Sequence, residues 1–257
     1  MSNSTEILVN AEAPLQSKVA LKPVMLMLFA RSGLFLLMQS CIFLVLLLIN
    51  GNAEWKQSAR FWPFVVTAAN IICAILLSRL FRREGRSFWD LFRIQRGTVI
   101  KDVLFCTLAM IVAMPFSYLP NILAQNIIFG NTTDAVALLF QPLPAWAVWV
   151  AIVVFPLTMP IGELTNYFGY VMPRLERLTR SKVLALCLPA VMLALQHVFL
   201  PLIPDWRFML WRGVMFLPFA FMVGLLIRWK PHWLPYLLIG HVLIDIMAAA
   251  SYFMLPM

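Results

Sequence analysis

Charged side chains are scarce in this chain: they make up 12% of its 257 residues, whereas 62% are hydrophobic. A soluble domain of this length would carry about a quarter charged residues. The shortage excludes an ordinary soluble domain. Cysteine is scarce too. Cys41, Cys73, Cys106 and Cys187 are widely separated, each in an apolar run, and no CxxC pair occurs. That excludes a disulfide framework and a cysteine metal cage, and leaves small packing residues. The net charge of +9 raises nucleic acid as a partner, but neither a basic groove nor a reader motif is visible, so none is expected. No internal repeat is apparent.

What is abundant is apolar sequence, in runs of about 20 residues, the length that crosses a bilayer core as helix. The 17 prolines do not argue against helices there, because neighbouring helices re-satisfy the backbone groups that a proline frees. Seven spans are predicted, at roughly 26–49, 61–81, 103–123, 145–172, 183–202, 208–227 and 233–255. The expected fold is all-α, a multi-pass transmembrane helical bundle. Residues 1–23 are expected as a polar cytoplasmic tail and 24–257 as a single transmembrane domain.

The basic residues fall in short segments between the spans, where they meet anionic headgroups of the lipid bilayer. From Arg79 to Lys101 there are seven basic residues and two acidic, with Trp89, Leu91, Phe92 and Ile94 interleaved. This segment reads either as an amphipathic helix lying at the interface or as a solvated basic loop. Residues 117–144, by contrast, hold no Lys or Arg. The positive-inside rule then puts the basic loop and the N-terminus in the cytoplasm, with the chain a multi-pass protein of the cell membrane.

Ionisable groups at mid-membrane are costly and usually functional. The fourth span carries Glu163, the fifth His197, and the seventh His241 and Asp245. At about 1.5 Å of rise per residue from the nearest basic boundary residue, Glu163 and His241 lie roughly 16 Å deep. His197 and Asp245 lie roughly 22 Å deep by the same measure. Three helices thus present polar groups near one level. His241 and Asp245 stand four apart and share a helix face, so the carboxylate can orient the imidazole. Singly, each residue also reads as an interhelical hydrogen-bonding group. Together they suit peptide hydrolysis, which needs a base to activate water and donors to hold the developing oxyanion. His232 reads as interfacial, and Asp205, between Pro204 and Trp206, as a turn residue.

The motifs around these residues resemble those of the CPBP family of intramembrane proteases (CAAX protease and bacteriocin-processing, or Abi). Pro160-Ile161-Gly162-Glu163 through Gly169-Tyr170-Val171-Met172-Pro173-Arg174-Leu175 is similar to its first signature. Leu193-Ala194-Leu195-Gln196-His197 is similar to the second, and His241-Val242-Leu243-Ile244-Asp245 to the third. The resemblance covers roughly residues 100–255. It departs at Leu164, where the family has a second glutamate, at Phe168, where it has an arginine, and at Leu193, where it has an aromatic. Joint loss of the Glu–Arg pair is self-consistent, since losing one alone would strand a buried charge.

The resemblance implies a membrane-embedded endopeptidase that acts on a membrane-associated or lipidated peptide or protein. Glu163, His197, His241 and Asp245 take the places of its catalytic set, which activates water and binds the oxyanion. Two histidines and two carboxylates can also hold zinc. No HExxH helix is present, however, and water activation by Glu163 without a metal cofactor is expected. Two other readings remain open: a catalytically silent relative acting as a membrane binding or immunity protein, and a proton or metal transporter.

Overall fold

The structure, a computed structural model, describes residues 20–254. Most of the expected polar tail falls on residues 1–19 and lies outside the described residues. Among the described residues there are seven helices long and apolar enough to cross a membrane, and no strand. They are α1 (Leu21–Asn50), α2 (Trp62–Arg83), α3 (Val99–Phe129), α4 (Ala145–Thr179), α5 (Lys182–Phe199), α6 (Trp206–Trp229) and α7 (Pro231–Tyr252). The chain is a multi-pass membrane protein built as an all-α bundle. Each helix coincides with one predicted span, though α1, α3 and α4 run several residues further than hydropathy alone suggested.

The helix ends follow local chemistry. α1 stops at Gly51 and α3 at Gly130, both with positive φ (71° and 76°), where a glycine carries no Cβ penalty. Ser181 caps α5 by accepting from the Leu184 N–H at 3.2 Å. Asp205, expected as a turn residue, caps α6 by accepting from the N–H groups of Arg207 (2.8 Å) and Phe208 (3.3 Å). The basic stretch after α2 contains one short 3₁₀ turn, Phe88–Phe92, rather than a long amphipathic helix. Phe88 is buried and Trp89 is 68% exposed.

Buried apolar side chains form two clusters. Leu28, Leu77, Tyr167, Leu193 and Leu238 belong to one. Phe35, Val66, Phe155, Leu200 and Ala249 belong to the other. Along α1 the order is Leu28, Arg31, Phe35, so a buried arginine lies where the first cluster gives way to the second. Asn70 of α2, Glu163 of α4, Gln196 and His197 of α5, and His241 and Asp245 of α7 occupy the same step on their helices, and Arg212 of α6 is buried beside them. The bundle therefore holds a polar layer between two apolar ones. α3 adds no charged group to that layer and turns Leu104, Phe105, Leu108, Ile111 and Val112 outward.

The basic segments gather at one end. Arg174 pairs with Glu84, Arg228 with Glu176 at 2.9 Å, and the His232 Nε2 lies 3.2 Å from the Asp102 carboxylate. At the opposite end, Trp55 donates to the Leu202 carbonyl (2.7 Å) and Trp62 to that of Leu139 (3.1 Å).

Candidate active site

α4 delivers Glu163 immediately before a π-helical stretch, Thr165–Val171. Turns of this kind add a residue to the helix and are frequent at functional sites. Here the widened stretch is buried throughout except at Gly169. Thr165 donates its hydroxyl back to the Ile161 carbonyl, and Asn166 donates to the Met27 carbonyl of α1 at 2.9 Å. These bonds fix the turn that presents Glu163.

Glu163 is 2% exposed and faces both candidate histidines. The His197 Nε2 lies 3.9 Å from Oε2, and the His241 Nε2 lies 3.8 Å from Oε1. Each imidazole addresses a different oxygen of one carboxylate. Asp245 completes the group, its Oδ2 3.5 Å from the His241 Nε2. The four residues singled out from the sequence thus converge. These separations are beyond a direct hydrogen bond and within the reach of one intervening water.

The ring protons follow from the neighbours. The His197 Nδ1 lies 2.9 Å from the Leu193 carbonyl and 3.3 Å from that of Ala194. A carbonyl only accepts, so Nδ1 carries a proton, and the other ring nitrogen, Nε2, faces Glu163. The His241 Nε2 sits between two carboxylates, so it is the nitrogen placed to donate. Among the described residues its Nδ1 has no hydrogen-bond partner, and neither does the buried Asp245 Oδ2.

Sequence reasoning missed the groups that frame this centre. Arg31, fully buried, donates Nε to the Gln196 Oε1 at 2.5 Å and Nη1 to the Asn70 Oδ1, while Nη2 lies 3.3 Å from the Met159 sulfur. Gln196 turns its amide N–H to the Glu163 Oε2, which stands 3.7 Å from the Arg31 Nη2. The Gln196 Oε1 also accepts from Tyr167 at 3.3 Å. On the far side Arg212, 4% exposed, donates to the His197 carbonyl (3.2 Å) and the Leu200 carbonyl (2.6 Å), holding the 3₁₀ turn that carries Gln196 and His197. Two buried guanidiniums therefore accompany two buried carboxyl groups in the layer. A lone arginine inside each of the first and sixth apolar runs was the available signal. Gln196 and Asn70 gave none, since neutral amides are cheap enough to pass unnoticed.

Gly162 makes the frame possible. A Cβ there would overlap the Asn70 side chain and come within 2.7 Å of the Arg31 Nη1. Only glycine lets the arginine reach across α4.

No known family, curated protein or solved structure matches this chain. The reading of the site therefore rests on its own geometry. Leu164 and Phe168, where the expected motif has a glutamate and an arginine, are each 2% exposed and packed in the first apolar cluster. Among the described residues, no three His, Cys, Asp or Glu side chains converge closely enough to hold a metal ion. The Glu163 oxygen nearest His197 is already engaged by the Gln196 amide and faces a guanidinium, which competes with a metal cation for the same lone pairs.

Proposed function

We propose that the chain is a membrane-embedded endopeptidase of the CPBP type. One observation carries this reading: a single buried carboxylate meets two imidazoles, from two other helices, at 3.9 and 3.8 Å. The Glu163 Oε2 and the His197 Nε2 are both acceptors, and two acceptors at that separation are satisfied by one water that donates to each. Such a water keeps its lone pairs free and has lost the dispersal of its protons into solvent. Attack on a peptide carbonyl then passes a proton to Glu163 as general base. His241, through Nε2–H, is the donor available to the developing oxyanion, and the Asp245 Oδ2 lies 3.5 Å from the same nitrogen. Glu163 returns the proton to the leaving amine. Arg31 and Gln196 hold the carboxylate in position and keep its charge tolerable in an apolar surround.

On this proposal no metal takes part. The basic end faces the cytoplasm of the cell membrane, in contact with anionic headgroups, and the substrate is a membrane-associated or lipidated peptide. His241 and Asp245, at 9% and 8% exposure, are the least covered members of the set, so the substrate approaches from the α7 side.

The near-complete burial of Glu163 also supports a second reading, a silent relative that binds a membrane partner. One experiment separates the two. Membranes from cells carrying the intact protein and from cells carrying Glu163→Gln are compared for their peptide content. The protease produces cleavage products that vanish with Glu163→Gln and persist after chelation of metals. A binding protein leaves the two peptide profiles identical.

A further inference from the structure

Where α2 meets α4 at the basic end, the positive charge is not balanced. Glu84 follows α2, the chain turns through Gly85 (φ 71°), and the Arg86 N–H closes on the Phe81 carbonyl at 2.9 Å. Arg174, 2% exposed, engages both Glu84 carboxylate oxygens, Nε at 2.8 Å from Oε1 and Nη2 on Oε2. It also donates to the Tyr170 carbonyl at 2.9 Å and lies 3.7 Å over the Tyr170 ring and 4.8 Å over that of Phe81. The Tyr170 hydroxyl donates to Glu84 as well, at 3.4 Å. Glu84 is fully committed to α4.

Arg86 is left over. Its guanidinium lies 5.9 Å from the centre of the same Phe81 ring, half-buried, and among the described residues nothing accepts a hydrogen bond from it. Burial first, and then Arg174, oppose its charge, Asp90 and Glu84 offset part of this, Arg177 adds to the repulsion, and on balance its pKa is held below the ordinary arginine range. Asp90, the other acid nearby, is paired with Arg93 at 2.9 Å. Four guanidiniums (Arg86, Arg93, Arg174 and Arg177) thus meet two carboxylates, an excess of two positive charges. A half-buried cation with unused donors and cationic neighbours is stabilised by an anion that offers several acceptor oxygens, and phosphate does so with the geometry a guanidinium prefers.

The surroundings indicate where the phosphate comes from. The adjoining turn, Phe88–Phe92, exposes Trp89, and amphipathic aromatic rings of this kind sit at headgroup level. We infer that Arg86 and Arg177, backed by Arg174, bind the phosphate of an anionic phospholipid headgroup. The bound lipid bridges the end of α2 to the end of α4, the helix that carries Glu163. This site is independent of the proteolytic reading.

The test uses the full chain, purified in neutral detergent and stripped of lipid. Thermal unfolding is followed with added phosphatidylglycerol, phosphatidylcholine or inorganic phosphate, for the wild type, Arg86→Gln, Arg177→Gln and, as a control at the other end, Arg207→Gln. Phosphatidylglycerol is expected to raise the midpoint by several degrees and phosphatidylcholine not to do so. The rise is expected to fall by at least half in Arg86→Gln and Arg177→Gln, and to stay intact in Arg207→Gln. Arg177 is exposed, so its variant folds even where Arg86→Gln does not. An equal response in wild type, Arg177→Gln and Arg207→Gln overturns the site. Full stabilisation by inorganic phosphate, with no further gain from phosphatidylglycerol, overturns the lipid assignment in favour of a free anion.

Discussion

Arg31 and Glu163 stand 3.7 Å apart inside the bundle, and the Gln196 side chain is bonded to both, accepting from the arginine and donating to the carboxylate. A charge on the first helix thereby fixes the group on the fourth that is proposed to act as the base. Removing one partner of a buried pair leaves the other uncompensated, at a cost of about 3–5 kcal/mol. Arg31→Met should therefore destabilise the protein strongly, while Arg31→Met combined with Glu163→Gln should cost less than the two single changes added together. Denaturation of all three variants in detergent measures that coupling. Additive losses would mean that the two residues do not act as a pair.

Gly162→Ala is expected to disturb the site without touching any charged group. The new methyl would push on Asn70 and Arg31, both wedged among buried side chains. Overpacking of this kind typically costs about 1–3 kcal/mol. The midpoint of thermal unfolding should fall, and turnover should fall further than stability does. A variant as active and as stable as the wild type would show that the arginine reaches the site by another path.

Arg212 bears on the geometry of His197 rather than on chemistry. Arg212→Lys keeps a cation but cannot hold the His197 and Leu200 carbonyls together, because a lysine lacks the guanidinium fork. A displacement of about 1 Å at a reacting group can cost about 10²-fold in rate. The expected signature is a fall in kcat with KM little changed, read from steady-state kinetics on a cleavable peptide. A change in KM alone would remove Arg212 from the positioning role.

The glutamate and arginine of the proposed family can be introduced one at a time. Leu164→Glu alone buries a carboxylate among apolar side chains, at about 3–5 kcal/mol. Adding Phe168→Arg supplies a partner and should recover part of the loss, although the Phe168 ring packs against Gly224 and its removal has its own cost. A double variant no better than the sum of the singles would show that this stretch of α4 cannot accommodate the pair.

Much of this was legible in the sequence, for identifiable reasons. Hydropathy located all seven helices because bilayer thickness sets their length. The burial of Glu163, His197, His241 and Asp245 followed from counting helical rise, and the structure gathers all four. The π-helical stretch at Thr165–Val171 was not legible, since its aromatic-rich sequence also fits an ordinary α-helix. Arg31 and Arg212 stood in plain sight within apolar runs, but their partners could not be guessed. Arg31 meets a glutamine beside a candidate histidine and an asparagine of α2, and Arg212 meets backbone carbonyls freed by an irregular turn. Side-chain and backbone partners of that sort exist only once the helices have packed.

The most direct test of a carboxylate-activated water is to follow the water itself. The purified protein, reconstituted in vesicles with a peptide cleaved in its native membrane, is incubated in ¹⁸O-labelled water, and the new carboxyl termini are analysed by mass spectrometry. Glu163 as general base requires label in the new terminus, with a rate that drops by about 10²–10⁴-fold in Glu163→Gln while the variant stays folded. Undiminished incorporation by Glu163→Gln would contradict the mechanism outright.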